Sequence, residues 1–443
     1  MQFIDYAPSS SPSLNQQRDA LRKGLGRAIQ WAAMGRLEDD PLLAACLQDQ
    51  RYDRQLEDSR GDWLWRMVRA VDAADRFRVP ILHAFYEMSD ERTASQLCEL
   101  AGCYAETGDE TFRTRLYEIV EQKPIADRLD LGEDEIIRLD GDEGFLFVAK
   151  ARALGLPSRE WEWDDESLID QAIKRIGESR VNELLEDRKN PPLRAYWERW
   201  RQEKQAKAVR APHISHRERM RAISVGEILS AAESGDSNFG LHRGWGMYAE
   251  EADLATVHQH LSTAREAKTI AKLLWVFVNR AAPQFLARFI ELCQHEDSEV
   301  RRRAIFALEK IKHPLVRKFA LSELVKKVHG TSVVGLFREN YQQGDEQRIL
   351  DAIEFPDDDW KLHGLLMDVI KILENNPDAD CSQLGVVAYA STPCESCRFD
   401  SVRLLHDRHV APGWLIEECR FDSGEKSREL NAKITKLTQA ESE

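Results

Sequence analysis

Apolar residues recur at helical spacing along nearly the whole chain, and this pattern limits the possible folds more than any other feature. Leu21, Leu25 and Ile29, for example, follow one another in steps of four residues, which places them on one face of an α-helix. Glycine and proline, the residues that punctuate strands and turns, number only 23 and 15 among 443 residues. The sequence therefore predicts an all-α protein whose apolar helix faces are buried against one another.

A glycine-containing break predicts how consecutive helices are joined. Leu97 and Leu100 belong to one apolar stripe before Gly108, and Phe112 and Leu116 belong to another after it. Two stripes separated by a short break of this kind are typical of a helical hairpin. We therefore expect antiparallel helix pairs joined by short turns.

Charge and hydropathy limit the function. The net charge of −15 makes wholesale wrapping of nucleic acid unfavourable, although it is compatible with a local basic strip. The longest apolar stretch, Ile270–Val278, is interrupted by Lys272 and is shorter than the roughly 18 residues of a membrane span. Met1–Asn15 lacks the basic and apolar regions of a signal peptide. We expect a cytoplasmic protein without a membrane-spanning segment.

A change in composition predicts a boundary near the middle of the chain. Residues 201–221 are rich in arginine and lysine and contain Pro212, which disfavours a continuous helix through this point. We predict an irregular helical domain over residues 1–210, a basic joint over 211–224 and a helical-repeat domain over 225–443.

The C-terminal half contains a weak internal repeat. Each copy has an apolar residue followed by a cation, two variable residues and a small residue. The four copies run from Val300 to Ala304, from Val316 to Ala320, from Trp360 to Gly364 and from Cys397 to Ser401. A small residue on the apolar stripe allows a neighbouring helix to approach closely. We therefore expect the four small residues to lie at buried helix crossings.

The best copy, residues 294–308, resembles the second helix of a HEAT repeat, with an aspartate in the loop, a Val-Arg pair and small residues at the same offsets. The resemblance covers residues 283–328 well and residues 357–374 and 392–408 in part. It implies an α-solenoid of antiparallel helix pairs in the C-terminal half, beside an irregular helical N-terminal half. Such arrays are commonly binding scaffolds, and the resemblance implies no specific activity.

The spacing Cys394-x2-Cys397 followed by His406-x2-His409 suggests a zinc site. However, Thr392 as N-cap with proline at the next position predicts a helix that begins at residue 393. In such a helix Cys397 and His406 are separated by roughly 13 Å along the axis, too far for one tetrahedral ion. Cys381 and Cys419 could contribute to a cysteine-rich zinc site only if the tertiary fold brings them close to Cys394 and Cys397.

The spacing argument favours buried core thiols over metal ligands for the eight cysteines. We therefore expect no bound metal and no cofactor.

A basic band over residues 301–327 is followed by an acidic segment over residues 351–400. Residues 301–348 contain 11 Lys/Arg against 5 Asp/Glu, whereas residues 351–400 contain 11 acids against 3 bases. The alternatives are a surface that binds a partner and a set of salt bridges between repeats with a solvated face. The candidate partner-binding residues are Arg301, Arg302, Arg303, Arg317, Lys318, Trp245 and Trp360. For Trp245, flanked by two glycines, the other interpretation is a loop that packs onto adjoining helices.

The chain lacks a glycine-rich phosphate loop, a nucleophile elbow and a HExxH zinc motif. We therefore predict a non-catalytic interaction scaffold that binds an unidentified protein partner. The alternative is a nucleic-acid-binding protein similar to the HEAT-like alkylpurine DNA glycosylases. That function would use the basic band, with Trp275 or Trp360 and the carboxylates of Asp357–Asp359.

Overall fold

The computed structural model describes residues 6–53, 59–122, 130–155, 167–186, 190–209, 214–234, 239–326 and 330–442. These residues form helices and connecting turns, with no strand among them. The predicted all-α class is therefore confirmed. The chain is divided into two compact units, an N-terminal unit of residues 8–212 and 418–429 and a C-terminal unit of residues 1–7, 213–417 and 430–443.

The N-terminal unit is built from eleven described helices. They are α1 (Leu14–Lys23), α2 (Arg27–Ala33), α3 (Asp39–Leu47), α4 (Arg60–Ala70), α5 (Ala74–Glu87), α6 (Glu91–Glu106), α7 (Glu110–Gln122), α8 (Glu133–Gly155), α9 (Ser167–Ile176), α10 (Glu178–Leu185) and α11 (Pro191–Val209). The apolar stripe of Leu21, Leu25 and Ile29 is buried as predicted. Its helix is interrupted at Gly24, whose φ of 75° is left-handed and ends α1.

The helical hairpin predicted around Gly108 is confirmed. Helices α6 and α7 pack against each other and are separated by a three-residue turn. Gly108 has a φ of 96°, a conformation that glycine adopts without steric cost. Phe112 and Leu116 on α7 are fully buried with the α6 stripe.

A segment from near the C-terminus completes the N-terminal unit. The buried Glu418 carboxylate accepts hydrogen bonds of 2.8 Å from both Nε and Nη2 of Arg27. The indole of Trp63 donates to the carbonyl of Phe421 at 2.9 Å, and Ser423 N donates to the Gly24 carbonyl at 2.9 Å. Backbone and charged contacts together hold residues 418–429 in this unit.

The C-terminal unit contains the remaining helices, of which the last two extend across the division between the units. They are α12 (His216–Arg221), α13 (Val225–Glu233), α14 (Phe239–Tyr248), α15 (Glu251–Thr263), α16 (Ala267–Trp275), α17 (Ala287–Leu292), α18 (Ser298–Leu308), α19 (Pro314–Lys326), a 3-10 helix (Gly330–Phe337), α20 (Asp345–Ala352), α21 (Asp359–Asn375), α22 (Ser382–Ser391), α23 (Glu395–Asp407), α24 (Gly413–Cys419) and α25 (Glu425–Ser442). Helices close in sequence pack against one another: α18 against α16 and α17, and α23 against α21 and α22.

The four small residues of the internal repeat do not all occupy buried crossings. Ala304, Ala320 and Ser401 are fully buried, as expected. Gly364 is exposed, and a Cβ atom placed on it would meet no atom within 4 Å. The expectation for Gly364 is therefore wrong, because its side of α21 faces solvent.

A close approach of this kind is made by Gly246 on α14. A Cβ atom placed on Gly246 would lie 2.1 Å from the carbonyl oxygen of Val276, next to α16. Only glycine permits this separation of the two backbones.

Among the described residues, no helix combines the length and the apolar composition that crossing a membrane requires.

Candidate functional site

The three consecutive arginines predicted to bind a partner have three different environments. Arg301 donates to the carbonyls of His295 and Glu296, both at 2.7 Å, and so holds the turn before α18. Arg302 is exposed and pairs with Glu299 one turn earlier. Arg303 is only 3 % exposed.

Arg303 acts within the protein core. Its guanidinium carbon lies 4.0 Å from the ring centre of Phe239 and 4.6 Å from that of Trp275. It also donates to the carbonyl of Ala271 at 3.0 Å and pairs with Glu299. The expectation of a surface side chain is therefore wrong for Arg303, because cation–π contacts and hydrogen bonds hold it inside.

Arg317 and Lys318, the second pair of adjacent candidate residues, also have different environments. Arg317 is half-buried and forms a two-pronged ion pair with the fully buried Asp345, including a bond of 2.9 Å from Nη2 to Oδ1. Lys318, the next residue, is exposed. Arg338 similarly pairs with Glu309 and Asp368. The Arg317 pair fits the interpretation of the band as salt bridges between helices, whereas Lys318 stays available at the surface.

The two candidate tryptophans also differ. Trp245 is 1 % exposed and donates its indole N–H to the carbonyl of Ile223 at 2.9 Å. It belongs to α14, so the predicted loop is a helix and the predicted surface contact through Trp245 is a core contact. Trp360, in the first turn of α21, is 76 % exposed. Its role in partner binding stays a prediction.

Two candidate residues of the glycosylase alternative have partners within the protein. Trp275 is stacked under Arg303. Asp358 accepts a hydrogen bond from Lys361 N at 2.8 Å and caps α21. Lys327, at the end of the basic band, lies outside the described residues.

Helix α19 presents an exposed face with apolar and basic residues. Leu315, Lys318, Ser322 and Val325 follow one another in steps of three or four residues, and all four are exposed. Val325 is 82 % exposed. A stripe with this spacing forms one side of a helix, so these side chains share a surface.

An open groove lies beside this face. It has a volume of about 620 Å³ and is lined from α19 by Leu321, Leu324 and Val325 and from α20 by Arg348, Asp351 and Ala352. The α19 side is entirely apolar. The α20 side provides one positive and one negative charge next to Ala352.

Helix α23 begins two residues later than predicted. Thr392 ends α22, and the helix starts at Glu395 with Cys394 in the N-cap position. The hydroxyl oxygen of Thr392 accepts a hydrogen bond from Cys394 N at 3.2 Å. The connection between the two helices is only three residues long, which fixes the position of Cys394 tightly.

Cys394 and Cys397 form a cluster with His363 from α21. One ligand atom from each of the three residues lies within 4.8 Å of the other two. Among the residues that the structure describes, this is the one group of three His, Cys, Asp or Glu side chains close enough to hold a metal ion. Both cysteines are buried and His363 is partly exposed.

The electrostatics of Cys394 differ from those of the core thiols. Burial raises the pKa of Cys46 and Cys293 above its usual range. In contrast, hydrogen bonding with the Cys397 side chain, and then with His363, holds the pKa of Cys394 well below its usual range despite burial. The same contact with Cys394 raises the pKa of Cys397. The pair therefore favours one thiolate and one thiol.

Local spacing in the sequence pointed to His406 and His409 and not to His363. His363 precedes Cys394 by 31 residues in another helix, so no local spacing connects them. Its partners become apparent only when α21 and α23 are known to pack together. All eight cysteines are buried, as expected for core thiols, but Cys394 and Cys397 also lie beside each other and beside His363.

The chain was also compared with protein-family models, with curated proteins and with solved structures, and it matches none of them.

Proposed function

We propose that this protein is a non-catalytic interaction scaffold, built as a HEAT-like array of helix pairs, and that it binds an amphipathic helix of a partner protein along α19 and α20. The observation that carries the proposal is the open apolar groove beside Val325. A helix laid in such a groove would bury apolar residues at i, i+3 or i+4 and i+7.

Shape and composition support a helical occupant. The groove has an apolar side from Leu321, Leu324 and Val325, and exposed apolar surface of this kind gains free energy when a partner excludes water from it. Its open form suits an extended element of a protein better than an enclosed small molecule.

Charge supports a preferred composition for that helix. Two cations, exposed Lys318 on α19 and Arg348 of the groove lining, outnumber the one carboxylate of that lining, Asp351. An acidic side chain on the partner would pair with either cation at the rim, where such pairs favour association and orientation more than affinity. We therefore propose an acidic amphipathic helix.

The proposal is tested with helical peptides selected by display on the full-length protein. Binding is then measured against the wild type, Val325→Glu and Ala352→Trp. The first change places a negative charge on the apolar α19 side of the groove, and the second fills the groove from α20. We expect each to weaken binding by roughly tenfold or more, as for central interface residues.

The matched control is Val79→Glu. Val79 is exposed on α5, so the same substitution there is equally tolerated by the fold. Circular dichroism confirms that all three variants keep their helix content. Peptides that bind the two groove variants as tightly as the wild type would contradict the proposal.

The nucleic-acid-binding alternative has its own test. Phosphate contacts by the basic band predict retention on a heparin or DNA column at moderate salt. Retention that is lost in an Arg302→Ala, Lys318→Ala double variant would favour that alternative, whereas flow-through at low ionic strength would remove it.

A further inference from the structure

The three side chains of the His363–Cys394–Cys397 cluster are a ligand set that suits one kind of ion. Two thiols and one imidazole are soft to borderline donors, which favour Zn²⁺ over Mg²⁺ or Ca²⁺. All three ligand atoms are sulfur or nitrogen, and none is an oxygen. The cluster is independent of the groove between α19 and α20.

The local fold places the donors at one end of three consecutive helices. Cys394 caps α23, and Cys397 lies in its first turn. Helix α22 returns the chain between α21 and α23, so α21 and α23 begin at the same end. His363 belongs to the second turn of α21 and therefore comes beside the start of α23.

The distances require little movement for coordination. The three donor atoms lie within 4.8 Å of one another. In a tetrahedral zinc site with Zn–S bonds of about 2.3 Å, the sulfur atoms are about 3.8 Å apart. A closure of about 1 Å at most thus brings the donors to coordination distance, which side-chain torsions supply without moving a helix.

We propose that His363, Cys394 and Cys397 bind one Zn²⁺ ion, with a water molecule in the fourth position. Both cysteines bind as thiolates, so any thiol proton of the pair is released to solvent, and His363 binds through a neutral ring nitrogen. Three protein ligands with an open fourth position are the arrangement of zinc sites that retain an exchangeable water molecule.

Burial favours a metal ion over a disulfide exchange site. Cys394 and Cys397 are 3 % and 6 % exposed, so the thiol of another protein has poor access to either sulfur. His363 is partly exposed, which leaves an approach for a small ion. This proposal departs from the expectation based on His406 and His409, because the histidine comes from another helix.

The test uses the full chain, reduced and stripped of metal by chelation. Co²⁺ is titrated as a spectroscopic probe, and Zn²⁺ is then titrated against it in competition. We expect one equivalent of Co²⁺ to give the thiolate charge-transfer bands and the visible bands of a tetrahedral site, and Zn²⁺ to abolish them.

The variants distinguish this site from other cysteines and histidines. Cys397→Ser and His363→Gln should weaken binding by more than roughly tenfold, the loss that even outer ligand-supporting changes cause. Cys293→Ser removes another buried thiol, and His406→Gln removes the histidine that the spacing suggested. Both should leave Co²⁺ binding unchanged.

A measurement without substitutions guards against misfolded variants. Zn²⁺ should protect Cys394 and Cys397 from alkylation in the wild type, as read by mass spectrometry of their peptide. The proposal is overturned if the reduced chain binds no Co²⁺ or Zn²⁺, if Cys397→Ser binds as tightly as the wild type, or if the pair forms a disulfide and its reduced form is not protected by zinc.

Discussion

Single residues in this protein often have roles that their neighbours in sequence do not share. Arg302 and Arg303 are adjacent and both pair with Glu299, yet the first is exposed and the second is in the core. A sequence shows a basic band, but it does not show which cations face Phe239 and Trp275. That distinction depends on how α18 lies against α14 and α16. Local sequence patterns do not predict this packing.

The contrast between Arg302 and Arg303 predicts unequal costs. Arg303→Ala should lower the free energy of unfolding by about 3 kcal/mol, because it leaves a core without its cation–π and hydrogen-bond contacts. Arg302→Ala should change it by less than about 0.5 kcal/mol, as for exposed pairs. Urea unfolding followed by tryptophan fluorescence measures both. Equal effects of the two variants would show that Arg303 is not in the core.

Glu135 on α8 predicts a dependence of stability on pH. Burial, and then the neighbouring Glu99, raise the pKa of Glu135 to about 8, so the folded protein holds a proton there that the unfolded chain releases near pH 4.5. The contribution of this group is thus fully present below pH 4.5 and is lost as the pH rises through 8. Glu135→Gln should raise the free energy of unfolding at pH 8 by on the order of a few kcal/mol and have little effect near pH 4.5.

The control for this prediction is Glu143→Gln, an exposed carboxylate in the part of α8 that follows its kink at Gly141. It should leave the pH dependence of unfolding as in the wild type. Denaturant unfolding at a series of pH values between 4.5 and 8 measures the difference. A Glu135→Gln variant with the pH profile of the wild type would contradict the burial argument.

At the scale of helices, the sequence predicted what depends on local spacing. The hairpin at Gly108 follows from apolar period and turn chemistry, and it is found. Leu21, Leu25 and Ile29 are buried but do not share one helix, because Gly24 ends α1 and Leu25 lies in the turn before α2. The start of α23 was placed two residues too early, because Thr392 serves the end of α22 instead. Cys394 is the N-cap of α23 in its place.

The crossings between helices were predicted less well. Gly364 fits the repeat but faces solvent, whereas Gly246, outside the repeat, lies against the carbonyl of Val276. A sequence repeat predicts which residues share the apolar face of one helix. It does not specify where the neighbouring backbone comes closest, since this depends on the angle between two helices.

These two glycines give a matched pair of variants. Gly246→Ala should destabilise the protein by about 2 kcal/mol or more, because the added methyl group forces α14 away from the chain at Val276. Gly364→Ala should stabilise α21 by up to about 1 kcal/mol through its better helix propensity. Denaturant unfolding gives the sign of each effect. A destabilising Gly364→Ala together with a neutral or stabilising Gly246→Ala would contradict the prediction.

At the scale of the whole molecule, the sequence predicted the helical class but not the path of the chain. The predicted basic joint over 211–224 stays a prediction. Nothing in the sequence indicated that residues 418–429 belong to the N-terminal unit. That placement rests on contacts such as Arg27 with Glu418, separated by 391 positions.

The Arg27–Glu418 pair predicts how firmly this segment is held. Glu418→Ala leaves Arg27 without its carboxylate, and breaking a buried pair costs about 3 kcal/mol. Amide hydrogen exchange of residues 418–429 should accelerate by more than roughly tenfold. Arg76→Ala removes an exposed pair with Asp39 and should leave exchange in this segment unchanged. Unchanged exchange in Glu418→Ala would mean that the pair does not hold the segment.

The candidate binding surface was also only partly predicted from the sequence. Exposed Lys318 was predicted as a partner contact, and it lies on the α19 face beside the groove. The groove itself was not predicted, because it is formed by Val325 and by Ala352 on a different helix. A surface built by two helices is visible only once their packing is known.

Site-specific photo-crosslinking tests the central claim most directly. A photoreactive amino acid is placed at position 325, or at position 79 as the control, and the full-length protein is irradiated in the cells from which it comes. The account predicts one protein adduct at position 325 that is absent at position 79 and is lost when Ala352→Trp fills the groove. Adducts that are absent from position 325, or that persist when the groove is filled, would contradict it.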